Sequence, residues 1–328
     1  MKSPNAGRKR YRPITTQNKP VISVIIPAKN EEDTLSQLCS QIQAAFSQPP
    51  MSPIEIILID DGSTDTTWDV IQQIHSSLSG IKALHFRRNY GKSAALAAGI
   101  AAAKGDILVT IDADLQDEPA EIPHLIAKLN EGFDLVSGWK KDRQDPWHKK
   151  AFSKVFNRIV SRVSHIELHD FNCGLKAYRR EVFDHVHLYG EMHRFIPVLA
   201  ANHGFRIAEL PVTHHARQFG QSKYGYERVM RAALDFITVG FFTRYMQRPS
   251  HFFGPIGLVS ILLGCFLGLG GILSFLWGIT KVGGITLALG FMIGLLGVHS
   301  LFFGLVAEIL TFMHRKDEPF YFVNEKLD

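Results

Sequence analysis

The chain has 328 residues, a formal net charge of +5 and 46% hydrophobic residues, which is too long for one small core and calls for one large or two domains. Its three cysteines, Cys39, Cys173 and Cys265, are widely separated, which excludes a disulfide scaffold and a cysteine metal site and fits a reducing environment. The positive balance points to a membrane surface or anionic small molecules; nucleic acid is disfavoured, because the basic residues gather beside two long apolar runs.

Residues 1–19 are polar and basic with no apolar core segment, so they read as a flexible basic arm and not as a signal peptide. Strand and helix then alternate. An apolar β-branched run predicts a strand over 21–26. A helix follows over 31–46, with Leu35, Leu38, Ile42 and Phe46 on one side. A second strand over 54–59 ends at Asp60 and Asp61, and Thr64 or Asp65 caps the next helix. A third strand covers 81–86, an alanine-rich helix 91–104, a fourth strand 107–111 and a further strand 134–138. This is a doubly wound α/β pattern, in which ligands bind beyond the carboxyl ends of the strands. Pro27, Ala28, Asn30, Glu31, Asp60, Asp61, Asp112 and Asp114 all lie at such ends, so they are expected to converge on one crevice.

Neither G-x-G-x-x-G nor the P-loop pattern occurs. A nucleotide would then be held by carboxylates to base and ribose and by a metal to its diphosphate. Asp112-x-Asp114 suits a hard cation, Mg²⁺ or Mn²⁺, with Gln116 adding a neutral oxygen. Asp117 is expected to be a dispensable acid of the same turn. Lys92 stands at a helix start, where ammonium and helix N-terminus both favour phosphate.

Lys150, Lys154, Arg158 and Arg162 recur every four residues along an amphipathic helix, and a second such segment runs over 228–245. Both read as interfacial. Residues 252–279 carry no charge, and residues 283–313 carry only Glu308. Each run is long enough for a bilayer core of about 30 Å. A link at 280–284 makes them a hairpin. Basic residues before the first span (Lys223, Arg228, Arg231, Arg244, Arg248) and after the second (Arg315, Lys316, Lys326) place the bulk of the chain on the cytoplasmic side of the cell (plasma or inner) membrane, as a multi-pass protein. Gly264 with Gly268, and Gly290 with Gly294, permit close helix approach, either within the hairpin or between copies in a homo-oligomer.

Five segments occur in order: IIPAKNEE (25–32), IDDGSTD (59–65), NYGKSAA (89–95), DADLQD (112–117) and DFNCGLK (170–176). Together they resemble glycosyltransferase family 2 with its GT-A fold, over about residues 20–225. More narrowly they resemble the polyprenyl-phosphate glycosyltransferases, which include dolichol-phosphate mannose synthase and bactoprenol glucosyltransferases. The resemblance implies that Pro27, Ala28, Asn30, Glu31, Asp60 and Asp61 line base and ribose, and that Asp112, Asp114 and Gln116 hold the metal and the diphosphate. RQFGQSK (217–223) resembles the basic loop that folds over the diphosphate, with Arg217 and Lys223 as its catalytic cations. Lys149 and Ser153 match lipid-phosphate ligands, and Asp170 is the base or the acid that orients the acceptor. Lys140 stands where the dolichol enzymes often carry Arg, so a point charge replaces a fork.

The expected architecture is therefore α/β: a GT-A type doubly wound mixed sheet with interfacial amphipathic helices and a C-terminal two-helix transmembrane hairpin. The expected divisions are an arm (1–19), a cytosolic catalytic domain (20–225), an interfacial helix (226–250), the hairpin (251–313) and a tail (314–328). The expected activity is inverting transfer of one sugar, glucose from UDP-glucose, onto undecaprenyl or dolichyl phosphate at the cytosolic membrane face, with Mg²⁺ or Mn²⁺. A processive polysaccharide synthase would need a Gln-x-x-Arg-Trp segment and more spans, and neither is present. The non-enzymic alternative is a nucleotide-binding membrane scaffold.

Overall fold

The computed structural model describes residues 22–47, 54–141, 157–216 (except 159, 163, 165 and 189), 241, 245 and 248–314. Seven strands form one mixed sheet in the order β3-β2-β1-β4-β6-β5-β7. They are β1 (Ile22–Ala28), β2 (Ile54–Asp60), β3 (Ile81–His85), β4 (Ile107–Thr110), β5 (Leu135–Trp139), β6 (Lys176–Arg179) and β7 (Ile207–Pro211). β1 to β4 are mutually parallel, and β6 runs antiparallel to both neighbours, β4 and β5. β1, β2 and β4 are near-continuous apolar runs because helices cover both faces: Val24 and Ile26 pack with α1 (Leu35–Ala45), while Ile25 and Ile57 pack with α3 (Lys92–Ala102). α2 (Thr67–Ser77), α4 (Ile122–Asn130) and α5 (Ile196–Asn202) complete the layers. Asp65 Oδ1 accepts the Thr67 N–H at 3.0 Å just ahead of α2, but the N-cap is Thr66 rather than Thr64 or Asp65, and its side chain makes no capping bond.

Two further expectations shift. α1 begins at Leu35, not at residue 31, because Asn30 adopts φ +55 and ties its backbone and amide to Ser63 and Thr64. The apolar hairpin is α6 (Ser250–Leu276) and α7 (Thr280–His314), and its link is residues 277–279. Gly278 takes φ +80 and donates to the Phe275 carbonyl while Ile279 donates to that of Ser274, which closes the helix in a Schellman turn. Residues 280–284, expected as the link, are the first turn of α7.

The hairpin is knit by glycines seven residues apart. A Cβ on Gly257, Gly264 or Gly271 would fall 2.8, 2.6 and 2.9 Å from the carbonyl oxygens of Gly297, Gly290 and Gly283. Gly264 and Gly290 therefore serve close packing inside the hairpin. A Cβ on Gly268 or Gly294 meets nothing. Glu308, the one acid in the second run, accepts the Ser250 N–H at 3.1 Å at the start of α6, where a negative charge is favoured. Both helices are long and apolar enough to cross a membrane. Among the described residues, every exposed large hydrophobic side chain except Tyr90 lies within residues 256–313. Such a surface needs an apolar environment.

Contacts divide the described residues into two units, one holding the sheet with its helices and the other the hairpin of α6 and α7. In the helical stretch at 157–164, Asn157 and Val160 are buried while Arg158 and Arg162 are exposed, as the amphipathic pattern requires. The second amphipathic segment lies outside the described residues except for Phe241 and Tyr245, whose rings pack against Phe252.

Candidate active site

The carboxyl ends of β1, β2 and β4 lie side by side, and their loops carry the expected residues. Asn30 and Leu115 are the only non-glycine residues with positive φ among those described, at +55 and +56. Left-handed backbone costs a side-chain-bearing residue roughly 1–2 kcal/mol. At Leu115 it sustains an alternation in which Ala113, Leu115 and Asp117 are buried while Asp112, Asp114 and Gln116 stay partly exposed.

Pro27 is half-buried and Ala28 buried at the end of β1; Asn30 is exposed and Glu31 half-buried beyond it. Asp60 and Asp61 are buried, and their carboxyl groups hold the surrounding loops. Asp60 Oδ1 accepts the Ser63 N–H at 2.9 Å and Oδ2 pairs with His85 Nδ1 at 2.8 Å. Asp61 accepts the N–H groups of Tyr90 at 2.7 Å and Gly91 at 3.0 Å, which fixes the entry to α3.

Lys92, the first residue of α3, is ion-paired with Asp112. Burial opposes ionisation of Asp112, but the charges of Lys92, Lys140 and Lys176 outweigh it and hold its carboxyl at about 2. A Cβ on Gly174 would collide with that carboxyl, so only glycine lets the segment leading into β6 approach it. Asp114 Oδ1 accepts the Gln116 N–H at 3.3 Å. Among the described residues no three acidic, histidine or cysteine side chains converge as a complete metal-ligand set. The ionised, partly exposed Asp112 with Asp114 nonetheless has the chemistry of a site for a hard cation that keeps phosphate and water ligands.

Asp117 differs from expectation. It is buried and ion-paired with the buried Lys140 at 2.7 Å, and its Oδ2 has no hydrogen-bond donor. Asp117 raises the Lys140 pKa well above the usual lysine value against the opposing effect of burial, and Lys140 in turn acts on the nearby Asp112 carboxyl. The loop beyond them is stitched to residues 213–215. His215 donates its N–H to the Gln116 carbonyl at 2.8 Å, and Thr213 Oγ1 donates to Glu121 at 2.9 Å.

Asp170 is buried; its Oδ1 accepts the Asn172 N–H at 3.0 Å and its Oδ2 accepts nothing. Glu209 of β7 positions it by accepting the N–H groups of His169 and Asp170, both at 2.9 Å. Lys149, Ser153, Arg217 and Lys223 lie outside the described residues.

Three residues were not singled out from the sequence. Lys176 is buried on β6; His193 and Arg194 help line the same recess behind Asp112. Ser93 Oγ lies 3.0 Å from His193 Nδ1, and burial, then Lys92 and Arg194, push the His193 pKa down to about 2, so it is neutral. Lys176 opens the short strand Lys-Ala-Tyr-Arg, whose two charged ends gave no sign of its burial, and His193 and Arg194 carried no signal either.

A model of the family described as Glycosyl transferase family 2 matches residues 23–186. The chain belongs to this family. A dodecaprenyl-phosphate galacturonate synthase of Rhizobium johnstonii is 40% identical, over 78% of this chain and 79% of its own. An undecaprenyl-phosphate 4-deoxy-4-formamido-L-arabinose transferase of Klebsiella pneumoniae is 37% identical, over 76% of this chain and 74% of its own. The fold of this transferase is also that of glucosyl-3-phosphoglycerate synthase from Mycobacterium tuberculosis, solved with Mn²⁺, uridine diphosphate and phosphoglyceric acid. That likeness has a TM-score of 0.54 and 22% identity, over 68% of this chain and 78% of the other.

Proposed function

We propose that this transferase moves a single sugar from a nucleotide sugar onto polyprenyl phosphate at the cytosolic face of a membrane that its hairpin spans twice. The observation that carries the reading is that both named relatives, alike over three quarters of the chain, act on polyprenyl phosphates. The exposed apolar surface of α6 and α7 supports the same acceptor, since the lipid resides in a bilayer. The division into a catalytic domain, an interfacial segment and a hairpin belongs to this proposal.

In this reading Pro27, Ala28, Asn30 and Glu31 face base and ribose over the loop that Asp60 and Asp61 shape. Lys92 and the α3 N-terminus face the diphosphate. Asp112, Asp114 and Gln116 hold Mg²⁺ or Mn²⁺, and the structural relative solved with Mn²⁺ and uridine diphosphate supports a divalent ion. The metal supplies charge neutralisation to the departing diphosphate. Arg217 and Lys223 close over the donor, and Lys149 and Ser153 take the lipid phosphate. The acceptor's second pKa is about 6, so its attacking oxygen is already ionised at neutral pH. Asp170 then orients the acceptor and need not deprotonate it. One in-line attack inverts the anomeric carbon.

The test is incubation of the full chain with labelled nucleotide sugars, UDP-glucose among them, and a short polyprenyl phosphate. Label entering the organic phase only when the lipid phosphate is present supports the reading. Label released as free sugar irrespective of lipid rejects it.

A further inference from the structure

His169 stands directly before Asp170 with a side chain 66% exposed, yet its ring is held from two sides. The imidazole lies nearly flat on Trp139 at the end of β5, with ring centroids 4.2 Å and planes 19° apart. Its Nδ1 is 2.8 Å from Glu209 Oε2 on β7. A carboxylate only accepts, so Nδ1 carries the hydrogen and Nε2 is the remaining polar atom of the ring. The turn does not need this ring. Glu209 already fixes it through the backbone N–H groups of His169 and Asp170, and Asn157 donates to the His169 carbonyl at 2.7 Å. Holding an exposed side chain in one orientation costs conformational freedom, and packing at the surface offsets little of it. The position is also informative. β5 runs parallel to β4, since both are antiparallel to β6, so Trp139 ends its strand at the same edge of the sheet as Asp112. Nearby exposed groups are cationic: Lys141, whose Nζ is 5.8 Å from the Trp139 ring centroid, and Arg158, which follows Asn157.

We propose that His169 is a ligand of the acceptor phosphate, contacting it through Nε2, with Glu209 and Trp139 as the residues that position the ring. This rests on the reading of the protein as a polyprenyl-phosphate transferase and adds a residue to its acceptor side. A phosphate brought beside Asp170 approaches two carboxylates, those of Asp170 and Glu209, and like charges at close range repel. A proton held between them and the phosphate removes that cost, and the imidazole can hold it in either state. The protonated ring donates Nε2–H to a phosphate dianion; the neutral ring accepts the O–H of a monoanion. Glu209 sets which nitrogen faces outward, and the stack on Trp139 sets the plane of the ring, so the contact is preorganised. A hydroxyl of the donor sugar could also meet Nε2, and that is the competing outcome.

The experiment compares the full chain with its His169→Phe and His169→Ala variants in transfer to a short polyprenyl phosphate. Phenylalanine keeps a ring for Trp139 but carries no nitrogen, so it separates packing from phosphate contact. Both variants should raise KM for the lipid phosphate roughly tenfold, the loss of one charge-assisted hydrogen bond. KM for the nucleotide sugar should change by less than about threefold, and Tm by less than about 2 °C. Equilibrium binding of the same lipid phosphate should weaken in parallel, while binding of the uncharged polyprenol should not. Wild-type KM and lipid affinity in His169→Phe would overturn the inference, because the ring would then serve packing alone. A rise in KM for the nucleotide sugar with the lipid KM unchanged would also overturn it and assign Nε2 to the donor. If the wild type transfers no sugar, the binding measurement still decides: weaker binding of polyprenyl phosphate by His169→Phe supports the phosphate contact although the transfer reading falls, and equal binding overturns it.

Discussion

Replacing Asp117 by Asn tests whether the last acid of the DADLQD segment is scaffold or surface. The carboxyl is fully buried, Lys140 is 8% exposed, and their charged atoms are 2.7 Å apart. Removing one partner of a buried pair leaves the other charge uncompensated and costs about 3–5 kcal/mol. Asn keeps one acceptor for the ammonium, so the lower end applies. For a domain of this size 1 kcal/mol shifts Tm by roughly 2–4 °C, so a loss of roughly 6–12 °C is expected. The raised Lys140 pKa fixes the pH range: its stabilising contribution is complete below the ordinary lysine value and fades only at higher pH, so the loss should be undiminished at pH 7. The assay is thermal unfolding of purified wild type, Asp117→Asn, Lys140→Met and the double variant. The double variant should be more stable than the sum of the single losses predicts, because no orphaned charge remains. A Tm within about 1 °C of wild type for Asp117→Asn, with additive single effects, would refute the buried-pair reasoning.

Asp114→Asn should lower kcat about a hundredfold or more, since a lost metal ligand removes several kcal/mol of charge stabilisation, and full activity in chelator would reject the metal role. Asp170→Asn should retain more activity than Asp114→Asn, with a residual rate that rises with pH through the acceptor's own pKa near 6; equal inactivity at every pH would make Asp170 an obligatory base. Gly174→Ala should depress activity with nearly unchanged Tm, because its Cβ would displace the Asp112 carboxyl; wild-type kinetics would show that the close approach is unimportant. The depressed Asp112 pKa contributes stability that is present above its ordinary value of 3.8 and lost as pH falls towards about 2. Asp112→Asn should therefore flatten the stability profile in that window, and unfolding midpoints measured from pH 5 to 2 check it.

The parallel half of the sheet was legible because β1, β2 and β4 are short apolar β-branched runs, each ending in polar residues at the crevice. β6 and β7 were not, because Lys176 and Arg179 interrupt the first and the second is short and half-buried. The burial of Asp117 had a readable signal in the period-two series Ile111, Ala113, Leu115, Asp117, but clustered acids argue for solvent when their partner is distant in sequence. Lys140 is such a partner, brought in by the strand beyond β6. In the hairpin the paired glycines at 283–284 suggested a link. Gly283 instead lets α7 touch α6, and the single Gly278 makes the turn, so glycine spacing alone could not separate the two uses. The order of the five strand-end segments carried the family, because a shared sheet edge constrains them together.

In the proposed reaction one sugar joins a polyprenyl phosphate. The most direct measurement is the mass of the lipid extracted after the full chain acts on a defined short polyprenyl phosphate and a nucleotide sugar. A single new species is expected, heavier by one glycosyl residue, still carrying one phosphate, with the anomeric configuration inverted relative to the donor. An unchanged lipid, a ladder of added sugars or a retained anomer would contradict it.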